Sequence, residues 1–95
     1  MATTKKLYNA IKDEYEIASV QYAYEDELWS LTEDARHLSS RGEAYSLILA
    51  LEEILRAMPI AERESILTAG RKVKPAAREN ARAVWRKRRA TDSAA

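Results

Sequence analysis

"KKLYNAIKDEYEIASVQYAYEDELWSLTEDARHLSSRG", residues 5–42, decides the fold. It holds no glycine before its last residue and no proline, and it follows Thr3 and Thr4, whose hydroxyls suit a helix N-cap. Tyr8, Tyr15, Tyr22 and Trp29 recur every seven residues. On a straight helix that spacing drifts by about 20° per step, so the four aromatics share one face with Leu7, Ile11 and Ala18. A second apolar stripe, Ile17, Val20, Tyr24, Leu28, Leu31, Ala35 and Leu38, lies on nearly the opposite side. Either one long helix is sandwiched between neighbours, or it kinks or breaks near "QYAYEDE", residues 21–27. A continuous helix of about 36 residues would be ~54 Å long. That overhangs a compact domain of this size, with a radius of gyration of about 12 Å, and implies a dimer, an extended shape or a large partner.

Further along, Gly42 in "SSRGE" reads as a helix stop, and Ser40 with Glu43 as the capping box of the next helix. That helix, "EAYSLILALEEILRAM", is the most apolar segment. Leu47, Ile48, Leu51, Ile54 and Leu55 form its core stripe, widened by Tyr45, Leu49 and Ala50. Pro59 opens a short third helix over "PIAERESILTAG", with Ile60 or Ala61, Ile66 and Leu67 inward and Gly70 past its end. "RKVK" reads as a basic linker, and Pro75 opens a last helix that runs to about residue 89. The expected fold is all-α: a small three- or four-helix bundle with a long or kinked N-terminal helix and a basic C-terminal helix. Residues 1–70 form an acidic helical body, 71–90 the basic linker and helix, and 91–95 a frayed tail.

Composition supports helices. The chain has 95 residues, with two glycines, two prolines and no cysteine. So few turn residues exclude an all-β domain, and the missing thiols exclude a disulfide framework or a thiolate metal site. The longest apolar run, "YSLILAL" at 45–51, is too short to span a bilayer. The expectation is a soluble, cytoplasmic protein of bacterial, phage or plasmid type, without a membrane partner.

A net charge of +1 conceals a split: residues 1–70 carry 7 Lys+Arg against 13 Asp+Glu, and residues 71–95 carry 9 against 2. Such asymmetry points to an interaction tail. On a helical wheel Arg78, Arg82, Arg86 and Arg89 form one basic stripe beside Ala77, Ala81 and Val84, with Trp85 on the boundary. Lys87 and Arg88 extend the charge, and Arg71, Lys72 and Lys74 continue it upstream. The leading expectation is a small regulatory protein that binds DNA, RNA or a nucleoprotein complex through this segment. Its cations would neutralise phosphates and Trp85 would stack or anchor. Alternatively, the arginines face Glu25, Asp26, Glu27, Glu33 and Asp34 of the same chain. A rival reading is a protein-binding inhibitor or adaptor. It would use the Tyr8, Tyr15, Tyr22 and Trp29 face, or an acidic, DNA-mimicking face around Glu25–Glu27 and Glu33–Asp34. A homodimer is a third way to cover two apolar stripes.

"LEEILRAMPIAERESIL", residues 51–67, resembles the opening of sigma-factor region four, with its L-x-x-L-P-x-x-x-R-x-x-L pattern. The resemblance implies a helix-turn-helix to follow, with Pro75–Arg89 as recognition helix. It covers less than a fifth of the chain, and Pro75 stands where the scaffold helix would run.

No catalytic constellation is visible. His37 is the only histidine, and Asp34 three residues before it is half of a di-metal motif that has no second half. Asp13 with Glu16, and Glu52 with Glu53, lack a matching second acidic pair. There is no phosphate loop or nucleophile elbow. The chain is therefore expected to be a non-enzyme without metal or cofactor.

Overall fold

The computed structural model describes residues 3–94, all helical apart from short connections. Helix α1 spans Lys5–Thr32, α2 Ala35–Arg56 and α3 Ile60–Ala94. α1 packs along both α2 and α3, which scarcely touch each other. Tyr8 meets Ser65 and Asp26 meets Arg78, so α1 and α3 run parallel, whereas Asp26 meets Arg41 across an antiparallel α1/α2 pair. The molecule is elongated, 60 × 21 × 17 Å, with a radius of gyration of 16.0 Å.

Thr4 caps α1, its Oγ1 accepting from the Leu7 N–H at 3.3 Å. The helix continues through residues 21–27 and breaks at Glu33, whose backbone is left-handed (φ 55°, ψ 23°). The Glu33 N–H closes the helix on the Trp29 carbonyl at 2.8 Å, and Asp34 caps α2 by accepting from Arg36 N–H at 2.9 Å. The break that was one alternative for residues 21–27 falls at 33 instead. A left-handed non-glycine costs about 1–2 kcal/mol. Glu33→Gly should raise stability by roughly 0.5–1 kcal/mol, read by thermal melting.

Gly42 lies inside α2, so the Ser40/Glu43 capping box does not form. α2 buries Ala44, Ile48, Leu51 and Leu55, while Tyr45, Leu47, Leu49 and Ile54 of the expected wide stripe are exposed. With α2 and α3 apart, only one narrow stripe of α2 finds a neighbour. The α2–α3 turn is held by Arg63. Its guanidinium donates to the carbonyls of Leu55 (3.1 Å), Arg56 (3.2 Å) and Met58 (3.3 Å), groups that a helix end leaves unpaired. Arg63→Met should cost about 1.5–3 kcal/mol in urea unfolding, and lysine should not restore it, because it lacks the planar fork.

The expected short third helix, basic linker and separate fourth helix are one helix of 35 residues, and this C-terminal element is the longest. Residues 71–74 are helical, and the helix extends through 94; Ala95 of the expected tail lies outside the described residues. No turn separates residues 60–70 from Pro75–Arg89, so the helix-turn-helix implied by the resemblance does not form. Pro75 removes one backbone donor, but it and Arg71, whose carbonyl loses that partner, are both exposed. Packing on both sides of Pro75, through Ile66, Ala77 and Ala81, holds the helix together.

Gly70 sits where α3 packs tightly against α1. A Cβ there would collide with the Tyr15 ring, lying 2.7 Å from its Cδ1 and 2.9 Å from Ser19 Oγ. Ala18, Ser19 and Ala23 of α1 and Ala77 and Ala81 of α3 are also small and buried. The main core gathers Ile11, Tyr15, Ala18, Ile48, Leu51, Leu55, Met58 and Ile66, with Tyr8, Tyr22 and Leu67 against it. Tyr15 is thereby removed from any free aromatic face; Tyr8, Tyr22 and Trp29 are half-buried. From the opposite stripe, Leu28 is buried, but Ile17 and Val20 face outward at 58% and 39% exposure.

Candidate nucleic-acid interface

The parallel run of α3 along α1 brings the start of the basic stripe against the acidic "EDE" of α1. Asp26 is the junction of three helices: Oδ1 accepts from Arg41 of α2 and Oδ2 from Arg78 of α3, each at 2.8 Å. Burial pushes the Asp26 carboxyl up, but the hydrogen bonds from Arg78 and Arg41 outweigh it and hold its pKa below the ordinary carboxylate value. Arg78 also reaches Glu27 at 3.3 Å, and Arg82 donates to the second Glu27 oxygen at 3.0 Å. Donating to the Asp26 carboxylate raises the pKa of the Arg78 guanidinium, and donating to Glu27 raises that of Arg82. The intramolecular alternative therefore describes Arg78 and Arg82, which strap α3 to α1. Glu25, Asp26 and Glu27 all engage internal partners, with side chains only 17%, 24% and 15% exposed.

Beyond Arg82 the stripe changes character. Arg86 bonds only Glu79 of its own helix, at 3.1 Å, and both side chains are more than half exposed. Such a pair contributes little and exchanges readily for another anion. Lys87, Arg88 and Arg89 are exposed, and among the described residues no carboxylate pairs with them. Arg89 lies over the half-buried Trp85 ring, 4.8 Å from its centroid, so Trp85 positions a guanidinium. Lys87 and Arg88, with Val84, Thr91 and Asp92, line a shallow groove of about 360 Å³.

Upstream, Arg71 bonds Thr68 at 3.1 Å, Lys72 is exposed, and Lys74 lies 5.8 Å from the centre of the Tyr22 ring. Two cations outside the expected basic segment, Arg41 and Arg36, enter the picture, and Arg88 of that segment meets the same surface. Arg41 joins the Asp26 junction. Arg88 lies 3.5 Å from His37 Nε2, and the exposed Arg36, bonded to Asp34, precedes His37. The basic end therefore includes the start of α2, which spacing along α3 could not reveal.

His37 Nδ1 lies 2.6 Å from Glu25 Oε2. A carboxylate that orients an imidazole is half of a general-base arrangement. Here the other ring nitrogen faces the Arg88 guanidinium, a donor without nucleophilic character. The pair links the α1, α2 and α3 surfaces at this end. Among the described residues no three potential metal ligands cluster, and no helix is long and apolar enough to cross a membrane.

Comparison with protein families, characterised proteins and solved structures finds no match to this chain.

Proposed function

We propose that this protein is a small, non-enzymatic regulatory protein that binds nucleic acid, alone or within a nucleoprotein complex, through the C-terminal third of α3. One observation carries the reading. The basic stripe divides into anchored arginines, Arg78 and Arg82, and an exposed set at the helix end, Lys87, Arg88 and Arg89, with no carboxylate partner among the described residues. Arg86 joins the exposed set by exchanging Glu79 for a phosphate. Arg71 and Lys72 lie on α3 more than three turns upstream, with Lys74 held over Tyr22. A helix carrying successive cations follows phosphates and releases counterions without reading bases.

The test is Lys87→Glu/Arg88→Glu/Arg89→Glu in a salt-titrated fluorescence anisotropy assay with single- and double-stranded oligonucleotides. Affinity at low salt should fall by at least about 100-fold, while the melting temperature stays nearly constant because these side chains are exposed. For three or four phosphates on a single strand, log K should fall with log salt at a slope of about −2 to −3. Undiminished affinity in the charge-reversed protein would sink the reading.

A second reading, a protein-binding adaptor or homodimer, is supported by a different observation. Ile17 and Val20 on α1 and Leu47 and Ile54 on α2 are all between 39% and 58% exposed. Tyr45 packs toward Tyr22, which puts Leu47 and Ile54 on the other flank of the α2 core stripe. Sedimentation equilibrium of the wild type against Ile17→Lys/Leu47→Lys checks self-association through this face.

A further inference from the structure

Gly42 poses a question that packing does not answer. Glycine weakens a helix interior relative to alanine. Gly70 is required by the Tyr15 ring, whereas a Cβ on Gly42 would meet nothing within 4 Å. The space beside it belongs to a groove of about 370 Å³ between α1 and α2, lined by Tyr22, Leu38, Arg41, Gly42 and Tyr45. The Tyr22 and Tyr45 rings lie 6.0 Å apart at 41°, too close to admit a third ring between them. Tyr45 is nevertheless 50% exposed, so it keeps an outer surface. Lys74 of α3 reaches over Tyr22 and brings a cation to the rings, while the Arg41 guanidinium is held by Asp26. The groove also adjoins the basic end: Leu38 follows His37, which faces Arg88.

We infer that this groove is a stacking subsite for one unpaired base of a nucleic-acid strand, kept open by Gly42. The inference rests on the proposed function and assigns it a preference for single strands. The base lies against the outer face of Tyr45, over Gly42. Lys74 meets the adjoining phosphate, and the strand continues to Arg88 and Arg89. Stacking on an aromatic face accepts any base, and the rings and Lys74 supply no paired donor–acceptor set to read a base edge. A duplex keeps its bases stacked and cannot enter.

The deciding experiment compares a short oligothymidylate with an abasic phosphodiester strand of equal length, using wild type, Gly42→Leu and Tyr45→Ala. The wild type should bind the base-bearing strand about tenfold tighter or more. Gly42→Leu places a side chain between Leu38 and Tyr45, and both variants should bind the two strands equally, at the wild-type affinity for the abasic one. Gly42→Leu should melt at or above the wild-type temperature, separating a filled groove from a damaged fold. If Gly42→Leu retains the preference for bases, or if the wild type shows none, the subsite is overturned while binding at the basic end stands. If the wild type binds neither strand, both proposals fall.

Discussion

Gly70→Ala is expected to lower the unfolding free energy by about 1–2 kcal/mol, although alanine is the better helix former by about 1 kcal/mol. The added methyl has no room: the Tyr15 ring and Ser19 Oγ occupy its place. Tyr15 is 7% exposed and belongs to the main core, so its ring cannot swing into solvent without opening a cavity among Ile11, Ile48 and Leu51. Overpacking costs about 1–3 kcal/mol, and a methyl that meets both a buried ring and a hydroxyl falls in the upper half of that range, above the propensity gain. Gly70→Leu must push α3 away from α1 along the small-residue seam, and the cost should approach the whole stability of a domain this small. Gly42→Ala is the internal control, stabilising by up to about 1 kcal/mol because nothing opposes the methyl. Urea unfolding followed by circular dichroism reads all three. A Gly70→Ala protein as stable as wild type would show that the two helices do not approach as closely as described.

Asp26→Ala is the second large effect, expected to cost about 2 kcal/mol at neutral pH. The substitution removes one carboxylate that holds two guanidiniums from different helices. Loss of a buried pair partner costs roughly 3–5 kcal/mol, and an exposed pair contributes under about 1. With side chains 24–30% exposed, this junction falls between them. Arg78 keeps Glu27, but Arg41 has no other carboxylate partner among the described residues. The effect should depend on pH with a definite sign. The folded-state pKa of Asp26 is depressed, so its contribution is complete above the ordinary carboxylate value and is lost as pH falls through the lower folded value. The stability gap between wild type and Asp26→Ala should be constant near neutrality and close below about pH 4. A gap that persists unchanged to pH 2 would mean that the carboxylate charge is not what binds the junction. A double-mutant cycle of Asp26 with Arg78 would apportion the α1–α3 share.

Several features were legible because they are local. The seven-residue aromatic spacing marks a helix with Tyr8, Tyr15 and Tyr22 inward, and Ile48, Leu51 and Leu55 mark the α2 core stripe. Ala77 and Ala81 identify the buried side of the basic helix. The turn at residues 32–34 also carried a signal, an aspartate at the N-cap position. No glycine marks the helix end before it, because Glu33 takes the left-handed conformation there. Gly42, Gly70 and Pro75 read as punctuation, and all three lie inside helices. Gly70 answers to a ring 55 positions earlier in the chain, and Pro75 is tolerated because α1 holds the helix on both sides of it. Neither cause is visible in neighbouring residues.

The candidate site divides in the same way. That the chain is helical, that one helix is basic, and that its arginines share a face can be read from the residues alone. These follow from composition and the 3.6-residue period, which act over a turn or two. Which arginines are anchored and which remain at the helix end depends on how the three helices pack. That choice follows from α3 lying parallel to α1, which sets Arg78 and Arg82 level with Asp26 and Glu27 and carries Lys87, Arg88 and Arg89 beyond them. Periodicity sorts side chains by angle around a helix; the partner that meets each charge along the axis depends on where a distant helix lies, and close approach of small residues sets that place.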